Sequence, residues 1–421
     1  MKPVLLKNHI PTYLLPAPGT GAVTVLVLVK VGSRYEYEAI NGASHFIEHM
    51  MFKGTKKRPT SQIISQTLDA VGADYNAYTG KDMTGYWVKI DQRHAGLAID
   101  LLHDMITDST FKTPEMNRER KVIMEEINMY HDNPMMHVDE MLESLMLDGS
   151  TLGWEIAGDH RRMREMTRGD VLAFRNAYYT PERMVIAVSG AVPADARRRL
   201  ERTFGSLSHG RAVQEFVPFG GPRSRRGVRA AVQYKETKQV QLALGFPSMG
   251  SGHEDLPAAN LLSVILGGSM SSRLFSSVRE KRGLCYFIRS SLSTYQDTGV
   301  FVIQSGLDKS RLDLAGKIVM LELRRIVKEK VSSSELKRAK DYLAGKITLD
   351  LEDSSSRAEW YAKQHLASGN ALTPEEKLRQ YGMVTPAHIQ RVASGIFDPR
   401  RMGVAGIGPF QRPMDVWKYF V

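Results

Sequence analysis

The chain repeats itself, and that repetition limits what it can fold into more than any single motif does. Thr167, Pro181, Arg183 and Met184 recur as Thr385, Pro399, Arg401 and Met402, each 218 positions later. A second echo pairs Gly72 and Tyr75 with Gly283 and Tyr286, 211 positions on, and continues from Thr84-Gly85 to Thr298-Gly299 after a small insertion. A constant separation of this kind means that one supersecondary plan has been used twice. The chain's 421 residues are also too many for one ordinary core. The halves meet in EFVPFGGPRSRRG, whose Pro, Gly and Arg content reads as a linker. The expected division is residues 1–214, a linker at 215–227, and a homologous second half at 228–421.

Local patterns fill in each half. The β-branched run TVLVLVKVG at 24–32 predicts a buried central strand, with a polar segment after it and Asn41 or Ser44 as the cap of the next helix. A helix is expected over 61–70, and ADYNAYTGKDMTGYWVKI at 73–90 predicts two strands joined around Gly80 and Lys81. Thr113-Pro114 opens a helix that runs to Asn133-Pro134. The second half supplies a strand at 239–245, a helix near 256–266 and another in LFSSVREKR.

The chemistry concentrates in SHFIEHMM, residues 44–51. His45, Glu48 and His49 stand at i, i+3 and i+4 and share one helix face. Two imidazoles one turn apart can chelate a metal, and a carboxylate beside them can take a proton from a coordinated water. The bland alternative is an amphipathic helix with two of the chain's twelve histidines on it by accident. Glu119 and Glu126, nearly two turns apart on the helix that begins at Thr113, point the same way. They are either a solvated face or the source of a third ligand. Cys285 is the single cysteine, so any metal here is held by His and carboxylate groups rather than thiolates. The second half has no matching histidine pair.

Composition excludes several other classes. The net charge of +11 is dispersed, with its densest cluster in PRSRRGVR at 222–229 and no nucleic-acid motif beside it, so it reads as solvated surface plus a basic linker. A metal-dependent nuclease is the reading that charge alone would favour. Gly267-Gly268-Ser269 lacks the strand and lysine of a phosphate-binding loop and is read as a helix connector. No run of eighteen apolar residues occurs, and Pro3, Lys7 and Asn8 interrupt the N-terminal segment. The expectation is a cytoplasmic protein with no membrane and no nucleic-acid partner.

Five segments together resemble the pitrilysin, or inverzincin, metallopeptidases, and most closely the short members related to mitochondrial processing peptidase. They are HFIEHMMFKGT, NAYTGKDMTGYW, ERKVIMEEI, GGSMSSRLFSSVREKRGLCY and ELKRAKDYLAGKITLDLEDSSSRAE, and they span nearly the whole chain. The resemblance implies an α+β fold of two homologous α/β domains, each a mainly antiparallel sheet with packed helices. It implies one Zn2+ per chain on His45, His49 and Glu126, with Glu48 as general base and Glu119 orienting a ligand histidine. It implies that Arg279 and Tyr286 donate to the oxyanion. It places extended substrate, a peptide or unfolded segment, along Asn76, Ala77, Tyr78 and Thr79, with Phe46 either lining a side-chain pocket or packing in the helix core. Four domains enclose a chamber in this family and the chain has two, so the resemblance implies a homodimer, or a heterodimer with a related subunit. Some relatives are non-catalytic scaffold subunits, which is the competing implication.

Overall fold

The computed structural model describes residues 1–222 and 229–420. The chain divides into two compact units, each assembled from three segments: Met1–Ile127, Trp154–Phe216 and Thr348–Thr373 in one, Asn128–Gly153, Val217–Ile347 and Pro374–Val421 in the other. Residues 223–227 of the predicted linker lie outside the described residues. At its start, Glu215 pairs with Arg183 at 2.8 Å and Phe216 lies against the Arg34 guanidinium, 3.4 Å from its ring centroid.

In the first unit the strands are β1 (Val4–Leu5), β2 (Pro11–Pro16), β3 (Ala22–Val29), β4 (Asp74–Thr79), β5 (Thr84–Asp91) and β6 (Met184–Gly190). They form one sheet in the order β1-β2-β6-β3-β5-β4, antiparallel except where β2 runs parallel to β6. Strand β3 is apolar along its length apart from Thr24 because both its faces are covered. Val23, Val25, Val27 and Val29 join a core that includes the helix Ala43–Met51. Leu26 and Leu28 meet Ala358, Tyr361, Ala362 and Leu366 of the helix Ser354–Ser368 on the other side. That helix is pinned at its start, where Ser354 Oγ lies 2.7 Å from Thr24 Oγ1 and Asp353 pairs with Lys89.

The second unit uses the same plan. Its strands β7 (Ala230–Tyr234), β8 (Gln239–Ser248), β9 (Cys285–Thr294), β10 (Gly299–Asp308) and β11 (Gly403–Gly408) follow the order β7-β11-β8-β10-β9. Set beside the first sheet, β8 takes the place of β3 and β9 that of β4. Val240, Leu242, Leu244 and Phe246 face one core, and Ala243 faces the helix Pro134–Met146 across the sheet. The sequence echo has a backbone counterpart: Gly72 (φ 62°) and Gly283 (φ 55°) each take the left-handed conformation two residues before the edge strands β4 and β9. The two units are therefore homologous α+β domains.

Candidate metal centre

The helix Ala43–Met51 buries Ala43, Phe46, Ile47 and Met50, an i, i+3, i+4, i+7 stripe, which turns His45, Glu48 and His49 to the opposite face. Its start is held differently from the expected Asn41 or Ser44 cap. Gly42 is the N-cap in the left-handed region, and the buried Glu36 carboxylate accepts from the Gly42 and Ser44 amides at 2.8 and 2.7 Å and from Asn41 Nδ2 at 3.0 Å. A carboxylate from the preceding loop thus does the capping, because it alone can take several of the free amides at a helix start.

The helix Thr113–Asp132 brings up the carboxylates. Its buried stripe is Met116, Glu119, Ile123 and Ile127, so Glu119 occupies a core position and Glu126 sits at the stripe's edge. Glu126 Oε2 lies 3.4 Å from His49 Nε2 and 3.7 Å from His45 Nε2. Donors about 2.0–2.1 Å from a tetrahedral ion stand about 3.3–3.5 Å apart, so these three atoms already have the spacing of a ligand set, all within 4.8 Å of one another. On the far side of the His49 ring, Nδ1 lies 3.1 Å from Glu119 Oε2, and Glu119 Oε1 takes Lys53 Nζ at 2.8 Å. This leaves His49 Nε2 facing the candidate ion.

The electrostatics suit a cation. Burial, helped by the neighbouring His49 charge, pushes His45 down to about 4, so its ring is neutral and its lone pair available. For His49 burial acts the same way but is outweighed by the bonds to Glu119 and Glu126, which hold it up to about 9. Burial raises the Glu48 carboxyl, against the Thr79 hydroxyl that donates to Glu48 Oε2. The phenols of the buried Tyr86 and the half-buried Tyr179 share a 2.8 Å bond.

Of the other candidates, Thr79 reaches Glu48 through its hydroxyl. Asn76, Ala77, Tyr78 and Thr79 lie on β4, the open edge of the first sheet. Phe46 points into the core and is fully buried, with Arg120 5.4 Å from its ring centroid. Arg279 and Tyr286 belong to the second unit, where Tyr286 is exposed on the edge strand β9 and Arg279 lies 5.9 Å from its ring. Lys53 and Glu36 were not picked out from the sequence. Lys53 follows His49 by four positions, a spacing that could have marked it, whereas nothing in SRYEYEAING marks Glu36 as a helix cap.

A duplicated α+β chain with one His, Glu, His face beside a carboxylate helix has the architecture of a metallopeptidase, and known proteins bear on the same two halves. Residues 13–160 match the family described as insulinase (peptidase family M16), and residues 165–343 match the peptidase M16 inactive domain. An uncharacterized zinc protease of Bacillus subtilis is 33% identical over 392 residues, covering 93% of this chain and 94% of that one. Another, from Streptomyces coelicolor, is 34% identical over 403 residues, covering 94% and 86%. The crystal structure of a protease from Helicobacter pylori has a TM-score of 0.88 at 25% identity and covers 97% of this chain and 100% of that chain. A peptidase M16 inactive domain from Pseudomonas fluorescens shares the fold, with a TM-score of 0.88 at 21% identity over 98% and 99%. The chain belongs to peptidase family M16, the pitrilysin-type zinc peptidases, as a short member. Among the described residues no helix is long and apolar enough to cross a membrane.

Proposed function

We propose that the chain is a zinc-dependent endopeptidase acting on peptides or unfolded segments, with one zinc held by His45, His49 and Glu126. The observation that carries this reading is the convergence of two imidazole nitrogens on one carboxylate oxygen, at 3.4 and 3.7 Å, on the helix face that also carries Glu48. Zinc, when bound, supplies a Lewis acid and brings a coordinated water's pKa towards about 7. Glu48 is the general base: it takes a proton from the attacking water and passes it to the leaving nitrogen. Its raised carboxyl brings its basicity nearer the working pH than a solvated carboxylate's. Glu119, held by Lys53, orients His49.

Substrate binds by strand addition to β4. Main-chain pairing requires an extended segment, which is why peptides and unfolded chains are the expected substrates. In an assembly of two copies, Arg279 and Tyr286 of the partner subunit supply donors to the developing oxyanion. A second copy of this chain, or a related subunit, completes the chamber. Support for a catalytic chain over a scaffold comes from Glu48, since a scaffold has no use for a half-buried carboxylate beside two histidines. The test is metal content. The wild type and Glu48→Gln should each hold one zinc per chain, and His45→Ala, His49→Ala and Glu126→Ala should lose it. Full zinc retention in all three ligand variants would refute the assignment.

A further inference from the structure

The residue that joins the open sheet edge to the histidine helix is Thr79, the last of β4. The hairpin is closed by Gly80 N donating to Met83 O at 2.8 Å, so Gly80 and Met83 are a hydrogen-bonded pair. Bonded and non-bonded pairs alternate in an antiparallel ladder. The pairs Thr79↔Thr84, Ala77↔Tyr86 and Tyr75↔Val88 are therefore the non-bonded ones, and the main-chain N–H and C=O of Thr79, Ala77 and Tyr75 point away from β5 to the free edge. Ala77 fits this: its amide donates to Asn76 Oδ1 at 2.8 Å. Side chains alternate with period two, so those of Tyr75, Ala77 and Thr79 share a face. Tyr75 stacks on Phe52 just beyond the histidine helix, 6.1 Å between ring centroids, and Thr79 donates its hydroxyl to Glu48 Oε2 on that helix. A β-branched side chain on a strand is stiff about its first torsion, so the backbone of β4 sets the direction of this hydroxyl.

We infer that Thr79 is a positioning residue for the base: its main chain pairs with the substrate strand while its hydroxyl holds the Glu48 carboxylate, so that seating the peptide and aiming the base go through one residue. This rests on the reading above that β4 receives substrate and Glu48 is the base. The main-chain groups that bind peptide do not depend on the hydroxyl. Loss of the hydroxyl leaves Glu48 in place but free to turn about its last torsion, and misaimed general bases lose rate rather than affinity.

The test compares Thr79→Val, which keeps the β-branch and the volume, with Thr79→Ser, which keeps the hydroxyl. On a quenched unstructured peptide, Thr79→Val should lower kcat by about 10–100-fold with KM within about threefold, and Thr79→Ser should recover most of the rate. Zinc affinity should be as in the wild type for both. In the Glu48→Gln background an extended peptide should bind equally well with and without Thr79→Val. A Thr79→Val enzyme with wild-type kcat, a Thr79→Ser enzyme as impaired as the valine variant, or a loss confined to KM would overturn the proposal. If the wild type cleaves no peptide, the peptidase reading falls separately, and thermal unfolding of the metal-free protein still decides the bond. Thr79→Val should lower Tm in the wild type and be near neutral in Glu48→Ala; equal Tm losses in both backgrounds would count against it.

Discussion

Replacing Glu119 by Gln removes one charge and almost no volume, which makes it the sharpest probe of how His49 is held. Both oxygens of Glu119 face donors, His49 Nδ1 at 3.1 Å and Lys53 Nζ at 2.8 Å, and the side chain is only 8% exposed. An amide offers one oxygen and one NH2 group, so a donor must face a donor at one of the two ends. The ring either loses its orienting acceptor or keeps a neutral one. Carboxylates behind a ligand histidine are commonly worth about 10–100-fold in metal affinity, or roughly 1.4–2.8 kcal/mol. Zinc titrated against a chromogenic chelator should show this loss, and the rise in Tm on adding zinc should shrink with it. Lys53→Met is the control. It destabilises the metal-free protein by stranding a buried carboxylate but leaves that carboxylate on His49, so zinc affinity should hold. A Glu119→Gln protein within about twofold of wild-type affinity would refute this account of the outer carboxylate.

Three further outcomes follow from the packing. Glu36→Gln sets an NH2 group against the amide of either Gly42 or Ser44, which bond to different oxygens of the carboxylate, and should cost about 1–3 kcal/mol in urea unfolding; unchanged stability would mean that the carboxylate does not cap the histidine helix. Gly32→Ala would put a Cβ 2.2 Å from Gly80 O and 2.5 Å from Lys81 O, at the turn that follows Thr79, and should cost about 1–3 kcal/mol or more, with normal unfolding as the contrary result. In the second unit, bonds from Arg391 and then His388 hold the Asp255 carboxyl down to about 2, against about 3.9 when unfolded. The folded value is the lower one, so this stabilisation is present above about pH 4 and is lost as pH falls towards about 2. The stability difference between wild type and Asp255→Asn should shrink over that window; a difference independent of pH would contradict the assignment.

Much of this was legible in the sequence because the relevant residues lie at short, regular spacings. His45, Glu48 and His49 share a face whatever the tertiary context, and the paired echoes at Gly72 and Gly283 mark backbone conformations that both halves need. Glu119 carried a readable signal as well, being the one charged member of the stripe Met116, Glu119, Ile123, Ile127. Glu36 carried none, since its role depends on a loop folding back over a helix start. The helix Ser354–Ser368 is as opaque, because its packing on β3, more than 300 residues earlier, rests on the small residues Ala358 and Ala362 and on single polar bonds to Thr24 and Lys89. Phe46 sits between two site histidines in sequence yet points into the core, as a helix advancing about 100° per residue requires.

The proposed chemistry requires Glu48 to act as a base beside a zinc held by His45, His49 and Glu126. It is checked by cleavage of a quenched, unstructured peptide library by the purified chain, run beside Glu48→Gln and with zinc removed and then restored. The wild type should cleave, lose activity on chelation and regain it with zinc, and Glu48→Gln should fall by at least about 100-fold at unchanged zinc content. Cleavage that survives either chelation or Glu48→Gln would contradict it.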